Sequence, residues 1–364
     1  MKRITLGLSI LAVLGMVFTT ACKKPKPNEV PEADTETASA VDAAWSTFVV
    51  SDIEMICSFM GENRYTGYFY AQRMNAAGSG TVTLTNDTAA TFATTSFSNT
   101  YCLDGRVRDG SISMNYAQQT YFPRYKAGGP RILYPRAYGF GAEITLAEYK
   151  VDGWKISTFN GTKALLLNEL AKPDYDPAST KLTWSLAGKF LLQHPTDPAQ
   201  DMYWEGTLTK TLENSTDKKY VFYATKTHIG DSAIQWRNGK ISYTGTIIGT
   251  TSGKYKYTMK FDNSNPLVRD FTCYPNKVGS VVLTPTPAPT GSLISIKEEF
   301  HPFISGVASF TTTTPESEGG KTLYPRMIYF GNEGNPVETV SGNQCDNTGE
   351  VYIKGISYRV DFRP

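Results

Sequence analysis

Residues 254–261, KYKYTMKF, alternate strictly between polar and apolar side chains. The apolar positions are Tyr255, Tyr257, Met259 and Phe261, with lysines and a threonine between them. A period of two places all four apolar side chains on one face of a strand, whereas a helix would spread them around its axis. The stretch therefore predicts a β-strand with one face turned to a core.

The same alternation returns along much of the chain, interrupted by turn residues at intervals of roughly eight to twelve positions. Residues 163–171 are predicted to form a short helix, and little other helix is expected. The pattern therefore predicts an all-β protein. Further strands are predicted at 66–73, 81–85, 181–192, 203–210, 219–226 and 350–362.

Two tight turns are predicted at Asp152-Gly153 and Asn238-Gly239, because both central residues of a type I′ turn need positive φ. Lys354-Gly355 is predicted to join the last two strands. Each of these dipeptides stands between two alternating segments, so each predicts an antiparallel hairpin.

A repeated sequence motif indicates that the chain contains two related parts. The letters LYPR, followed three residues later by FG, occur at 133–141 and again at 323–331. Each copy follows a cysteine and a Gly-Ser pair, and each precedes a predicted hairpin. We therefore expect two antiparallel β-sandwich-like modules, 45–175 and 176–364. Unrelated strands that share turn chemistry remain the alternative.

The N-terminus has the features of an export signal. Lys2 and Arg3 precede an apolar run over 4–18, which is too short and too early for a membrane span, and small residues lead into Cys22. This arrangement resembles a bacterial lipoprotein signal, residues 1–21. The resemblance implies cleavage before Cys22, with diacylglycerol on its thiol and an acyl chain on its new amine. An ordinary secretory signal in which Cys22 is incidental is the alternative.

Residues 22–44 are rich in Pro, Glu, Asp, Thr and Ala and contain little that could be buried. They are predicted to form a disordered tether between the lipid and the folded part. We expect membrane lipid to be a partner through Cys22, and the protein to lie at the outer membrane. The sequence leaves open whether it faces the periplasm or the cell surface.

The charge balance argues against nucleic acid. The chain has 36 Lys and Arg against 34 Asp and Glu, and loss of Lys2 and Arg3 with the signal brings the balance to zero. A nucleic-acid-binding surface needs a basic patch, and here the basic residues are scattered. No cofactor is expected either, since no dinucleotide or phosphate-binding motif is present.

Four cysteines remain if Cys22 is lipidated, and an exported protein can form disulfides. We favour Cys57 with Cys102 and Cys273 with Cys345 among the three possible connectivities. Free buried cysteines are the alternative. No metal site is expected, because no two cysteines are closely spaced and the chain has only three histidines.

A charged segment follows Cys102. Asp104, Arg106, Arg108 and Asp109 could contact a ligand or partner through the two guanidinium groups. A turn held by the two Asp-Gly pairs is the alternative interpretation.

Several short runs carry a family resemblance. Residues 102–112, 238–246 and 344–347 are similar to stretches of uncharacterised Bacteroidota outer-envelope lipoproteins, a family without an assigned activity. The resemblance implies a location and a β-rich build rather than a reaction. Thr88 and Ser232 also resemble the O-glycosylation sites of those bacteria.

The sequence contains no motif of a catalytic elbow, a metalloprotease or a nucleotide-binding loop. The three histidines are far apart and are expected in turns or on the surface. We therefore expect a non-catalytic binding or structural role at the envelope, with a glycan or an envelope protein as partner. An envelope polysaccharide hydrolase using paired carboxylates is the alternative, and a pilus-type subunit is a further one.

Overall fold

The computed structural model contains one α-helix and fifteen β-strands in the residues it describes. None of the helices there is both long and apolar enough to cross a membrane. The described residues are 34–62, 80–86, 92–102, 106–115, 141–168, 181–213, 240–270, 303, 305–331 and 348–362.

The helix α1 spans Ala38–Glu62. The strands are β1 (Thr81–Asn86), β2 (Phe92–Tyr101), β3 (Val107–Asn115), β4 (Gly141–Val151), β5 (Trp154–Thr158), β6 (Ala164–Asn168), β7 (Lys181–Gln193), β8 (Met202–Glu213), β9 (Lys240–Thr250), β10 (Lys256–Phe261), β11 (Leu267–Asp270), β12 (Gly306–Thr313), β13 (Arg326–Phe330), β14 (Thr348–Ile353) and β15 (Ile356–Asp361).

All fifteen strands belong to one antiparallel sheet, so the predicted all-β class is confirmed. Neighbours along the chain are mostly neighbours in the sheet, while β6 pairs with both β4 and β7 and β11 pairs with β9. The sheet continues across residue 175, where we expected one module to end, because β5 and β6 both pair with β7. Residues 36–364 form one compact unit, and the strands described in it belong to a single sheet, so the two sandwich modules are not confirmed.

The sheet wraps around α1. Thr47 accepts a hydrogen bond from the Trp204 indole of β8, Ser46 bonds to a tyrosine of β10, and Asp52 pairs with an arginine of β3. At 3.6 residues per turn, these three helix positions point about 100–140° apart. The helix is therefore enclosed from three sides, and nearly all of its side chains whose exposure is described are buried from Ala43 onward.

The opening strand prediction is confirmed from Lys256 onward, whereas Tyr255 belongs to the preceding turn and is only partly buried. In β10, Tyr257, Met259 and Phe261 are buried while Lys256 and the other intervening residues are exposed. The hairpin turns at Asp152-Gly153 and Lys354-Gly355 are also confirmed, with positive φ at all four residues. Asn238-Gly239 lies outside the described residues.

Two local predictions are wrong. The tether does not extend to residue 44, because a 25-residue helix, α1, begins at Ala38 where little helix was expected. Residues 163–171 were expected to be helical, but Ala164–Asn168 forms β6. Leu166 there is buried while Leu165 is 43 % exposed, which is the alternation of a strand.

The two ends of the sheet differ. Five turns, at 152–153, 194–201, 251–255, 314–325 and 354–355, lie at one end, which we call the turn end. The longest connections, 116–140, 214–239 and 271–305 among them, leave from the opposite end, the far end. The helix begins at the turn end, since Asp42 bonds to Ser252 in the 251–255 turn.

Candidate functional site

The charged segment that we expected to contact a ligand leads into β3. Asp104 lies outside the described residues. Arg106 and Arg108 are buried between the sheet and α1. Asp109 points outward, and its carboxylate accepts a hydrogen bond of 3.1 Å from the backbone N–H of Asn99. The two guanidinium groups are therefore directed at the protein's own interior rather than at solvent.

Arg106 joins the helix to a hairpin turn. Its guanidinium carbon lies 4.7 Å from the ring centroid of Trp45 and 5.1 Å from that of Phe48, both on α1. On its other side the guanidinium forms an ion pair with Asp152, whose second oxygen accepts a 2.9 Å bond from the Val107 N–H. One side chain thus fixes the β4–β5 turn against the helix.

Arg108 forms a deeply buried ion pair with α1. Its Nη2 lies 2.5 Å from Oδ2 of Asp52, and the two side chains are 0 % and 3 % exposed. Tyr149 of β4 is close by. Burial raises the pKa of the Tyr149 hydroxyl, the Arg108 charge opposes this rise and the Asp52 charge adds to it. The tyrosine therefore stays protonated and is no general base.

A second buried pair lies on another face of the helix. Nζ of Lys210, on β8, is 2.8 Å from Oε1 of Glu54 and 4.2 Å from the ring centroid of Trp184. Cys57 lies one helical turn further on. Burial, followed by the Glu54 charge, raises the pKa of its thiol well above the usual value, while Lys210 opposes the rise. Since only the thiolate is a good nucleophile, Cys57 is unreactive in this setting.

The expected disulfide between Cys57 and Cys102 is absent, because each residue carries a buried thiol that is not bonded to another cysteine. Cys57 is on the face of α1 that meets Lys210, whereas Cys102 lies near Tyr149 on the side of β3 and β4. The Cys102 thiol points to its own strand, 3.6 Å from the Thr100 carbonyl oxygen. Cys273 and Cys345 lie outside the described residues, and their pairing stays a prediction.

Two further acidic residues hold the start of the helix. Asp42 accepts hydrogen bonds from the N–H and the hydroxyl of Ser252, at 2.8 and 2.6 Å. Burial raises the pKa of Asp42, and the Ser252 bonds partly offset that rise. Arg326, the first residue of β13, lies 3.4 Å from the carboxylate of Glu36 and donates a 3.1 Å bond to its carbonyl oxygen.

In these contacts the negative charges come from the helix region and the positive charges from the strands. The helix and its first turn supply acidic residues, and the surrounding strands supply Arg108, Lys210 and Arg326. Burying such pairs costs much of what they gain, so their main effect is to favour one rotation and depth of the helix over others. Asp52 and Glu54 are two residues apart, hence about 200° apart around the axis. They cannot face each other as the two carboxylates of a glycosidase do.

The part of the chain that the structure describes gives no support for a metal site or a catalytic histidine. No group of three metal-ligating side chains occurs there. His194 packs edge-on against Trp154, with ring centroids 4.9 Å apart, and its Nδ1 accepts a 3.1 Å bond from the Asp197 N–H. It is a turn residue, as expected. Cys22, Thr88, Ser232, His228 and His301 lie outside the described residues.

Sequence reasoning missed the acidic residues of α1. The available signal was a stretch from 38 to 60 without glycine or proline, in which single carboxylates interrupt an apolar run. Comparison with protein-family models, with curated proteins and with solved structures finds no match to this chain.

Proposed function

We propose that this chain is an exported, lipid-anchored protein of the outer envelope that acts by binding or structural interaction rather than by catalysis. Cys22 carries the lipid, and membrane lipid is its first partner. A glycan or another envelope protein is the second. The signal-like residues before Cys22 support the anchor, and the mutual pairing of the buried charges supports a structural use of them.

The polarity of the sheet is the observation that carries the proposal. The chain that comes from Cys22 enters at the turn end, where α1 begins, and the longest connections leave from the far end. Connections carried on a rigid scaffold are where binding residues concentrate. An anchor at one end and long connections at the other suit display of a binding surface away from the membrane.

The two alternatives gain less support. A hydrolase needs two carboxylates facing a shared cleft. Among the described residues, Asp52 and Glu54 are each paired with a cation on a different side of α1, and the carboxylate pairs Asp174/Asp176 and Glu298/Glu299 lie outside the described residues. A pilus-type subunit needs an exchangeable terminal strand, whereas β15 pairs with β14 of the same chain from Thr348 to Asp361. The paired carboxylates do not favour a hydrolase, and the internally paired β15 does not favour a pilus-type subunit.

The anchor is tested on the full-length chain expressed in a bacterium that lipidates exported proteins. Wild-type protein and Cys57→Ala should enter the detergent phase on phase separation, and Cys22→Ala should stay in the aqueous phase. Mass spectrometry of the N-terminal peptide should show acyl groups on Cys22. An unmodified Cys22 in exported wild-type protein would refute the anchor.

The binding role is tested on the same purified protein with envelope polysaccharides. Retention of a polysaccharide without release of shorter sugars supports a non-catalytic role. Turnover that survives repurification would overturn that part of the proposal and favour the hydrolase.

A further inference from the structure

An exposed apolar cluster lies at the turn end of the sheet. Tyr324 and Tyr352 are each 41 % exposed, and Ile356 is 56 % exposed. Lys354, at the tip of the β14–β15 hairpin, places its ammonium 3.2 Å from the ring centroid of Tyr324 and so links the hairpin to the segment before β13. We call Tyr324, Tyr352, Lys354 and Ile356 the aromatic patch.

The aromatic patch adjoins the point where the chain from Cys22 enters the fold. Arg326 donates one hydrogen bond of 2.6 Å to the carbonyl oxygen of Tyr324 and another of 3.1 Å to that of Glu36. A single buried side chain therefore connects the patch to Glu36, two residues before α1. The far end of the sheet, with the longest connections, is the opposite end of the same strands.

We propose that the aromatic patch rests on the bilayer that holds Cys22, so that the turn end of the sheet faces the lipid. This inference rests on the proposed lipid anchor. Tyrosine rings combine an apolar body with a polar tip and are enriched at the membrane interface, where a lysine can extend its ammonium to the head groups. Ile356 lies on the other face of the hairpin from Tyr352, since it pairs with the buried Ile353, but it is exposed at the same tip. If that tip enters the head-group and acyl boundary, the isoleucine gains by burial there.

The length of the tether supports lipid as the occupant. The 13 residue-to-residue steps from Cys22 to Thr35 reach at most about 45 Å when extended. This limit on reach keeps the patch from moving far from an anchored Cys22, and such tethering raises the effective concentration of one surface at the other without any further contact.

Charges of both signs lie near the patch. Lys354 and Lys321 are exposed there, as are Glu316 and Glu318 of the 314–325 turn, and Glu316 is paired with Lys256. The nearest carboxylate on β14 is that of Glu350, which accepts a 2.5 Å hydrogen bond from the Ser357 hydroxyl. A lysine held over an aromatic ring at the rim suits anionic head groups.

The experiment uses full-length, lipidated protein reconstituted in vesicles of phosphatidylethanolamine and phosphatidylglycerol. Tyr352→benzoylphenylalanine places a photoreactive group in the patch, and Thr85→benzoylphenylalanine places the same group on an exposed residue of β1 near the far end. Mass spectrometry then measures the lipid adduct at each position. We expect on the order of tenfold more adduct at residue 352, because tethering favours one surface.

Equal adduct at both positions, or none at either in protein shown to be acylated at Cys22, would overturn the docking inference while leaving the anchor intact. A protein–protein adduct at residue 352 would instead assign the patch to a second copy and would also overturn it. Absence of acylation at Cys22 would refute the anchor itself, and is recognised separately from the N-terminal peptide.

A second set of variants tests the contribution of the side chains. The triple variant Tyr324→Ser, Tyr352→Ser and Ile356→Ser should lose most of the lipid adduct formed by a benzoylphenylalanine at Ser357. The matched control Phe92→Ser with Leu165→Ser removes two exposed apolar side chains toward the far end, and should leave that adduct unchanged. An unchanged adduct in the triple variant would contradict the inference.

Discussion

The carboxylate of Glu54 lies 2.8 Å from the ammonium of Lys210, and the two side chains are 0 % and 1 % exposed. This contact joins the central helix to β8, while Trp184 covers the ammonium from the β7 side. A pair so removed from water contributes little net stability, because both groups lose their hydration. Removing one partner is a different matter, since the remaining charge is then buried alone. The pair therefore fixes where the helix sits more than it stabilises the fold.

Lys210→Met should destabilise the protein by about 3–5 kcal/mol, because it leaves the Glu54 carboxylate buried without its cation. Denaturant unfolding followed by tryptophan fluorescence measures the change. Adding Glu54→Gln should recover part of the loss, because the uncompensated charge is then gone.

The control for this pair is Lys256→Met, which breaks a contact of similar length, 2.9 Å, with the exposed Glu316. Solvent and salt screen exposed pairs, so little change in the unfolding midpoint is expected. Equal losses for Lys210→Met and Lys256→Met would show that burial does not determine the strength of these pairs here.

The thiols of Cys57 and Cys102 should resist alkylation in the folded protein. Both are buried, and burial raises the pKa of Cys57 so that the unreactive protonated form persists at mildly alkaline pH. Iodoacetamide treatment at about pH 8, below the ordinary thiol pKa of about 8.5, followed by peptide mass spectrometry, should modify these two residues only after denaturation. If a peptide linked through Cys57 and Cys102 were found under non-reducing conditions, the two cysteines would not be reduced in the folded protein. Their placement on different sides of α1 would then also be wrong.

The strands were predictable because alternation is a local property. In β10 the side chains at every second residue face the helix whichever strand lies beside them, so Tyr257 and Met259 could be assigned without knowing the partner strand. Turns at Asp152-Gly153 and Lys354-Gly355 were predictable for the same reason, since positive φ is a local demand. A run of leucines such as that in Ala164–Asn168 fits the period of a helix as well as that of a strand. The helix predicted there was therefore wrong.

The helix and the site could not be predicted in the same way. A surface helix shows an apolar stripe, but α1 is enclosed by strands on several sides and is apolar around most of its circumference. Its carboxylates meet Arg108 and Lys210, which are 56 and 156 positions away along the chain. Nothing in the neighbourhood of Arg108 indicates that its guanidinium turns inward to Asp52. Such pairings depend on the complete sheet.

Gly110→Ala should be strongly destabilising. Strand β3 shifts register against β4 between Asp109 and Ser111, and Gly110 has φ of +79° at this bulge. A Cβ there would lie 2.2 Å from the Glu148 carbonyl oxygen, a contact that only a backbone movement could relieve. Thermal unfolding should show a clear loss, since positive φ and a backbone clash act together.

The matched control is Gly161→Ala. Gly161 has φ of +69°, but a Cβ at that position meets nothing within 4 Å. It should therefore show only the conformational cost of positive φ, about 1 kcal/mol. If the two variants lost equal stability, the close approach at the bulge would be irrelevant.

Ser252→Ala should weaken the start of α1 in a pH-dependent way. The Ser252 hydroxyl donates a 2.6 Å hydrogen bond to the half-buried carboxylate of Asp42, whose pKa is raised above its ordinary value by burial. Without that bond the pKa rises further. The folded state then holds the proton more tightly than the unfolded chain, so stability rises as the pH falls through the raised pKa.

The loss for Ser252→Ala should therefore be largest near neutral pH, at about 1–3 kcal/mol for a hydrogen bond to a charged group. It should shrink in acidic solution, as the pH falls through the raised pKa of Asp42 and the carboxylate becomes protonated. Urea unfolding at neutral and at acidic pH measures it. Ser113→Ala is the control, because its 2.8 Å contact is with the Thr94 hydroxyl and involves no titratable group. Its effect should not change with pH, and a Ser252→Ala penalty that was likewise constant would show that the ionised Asp42 is not what the bond stabilises.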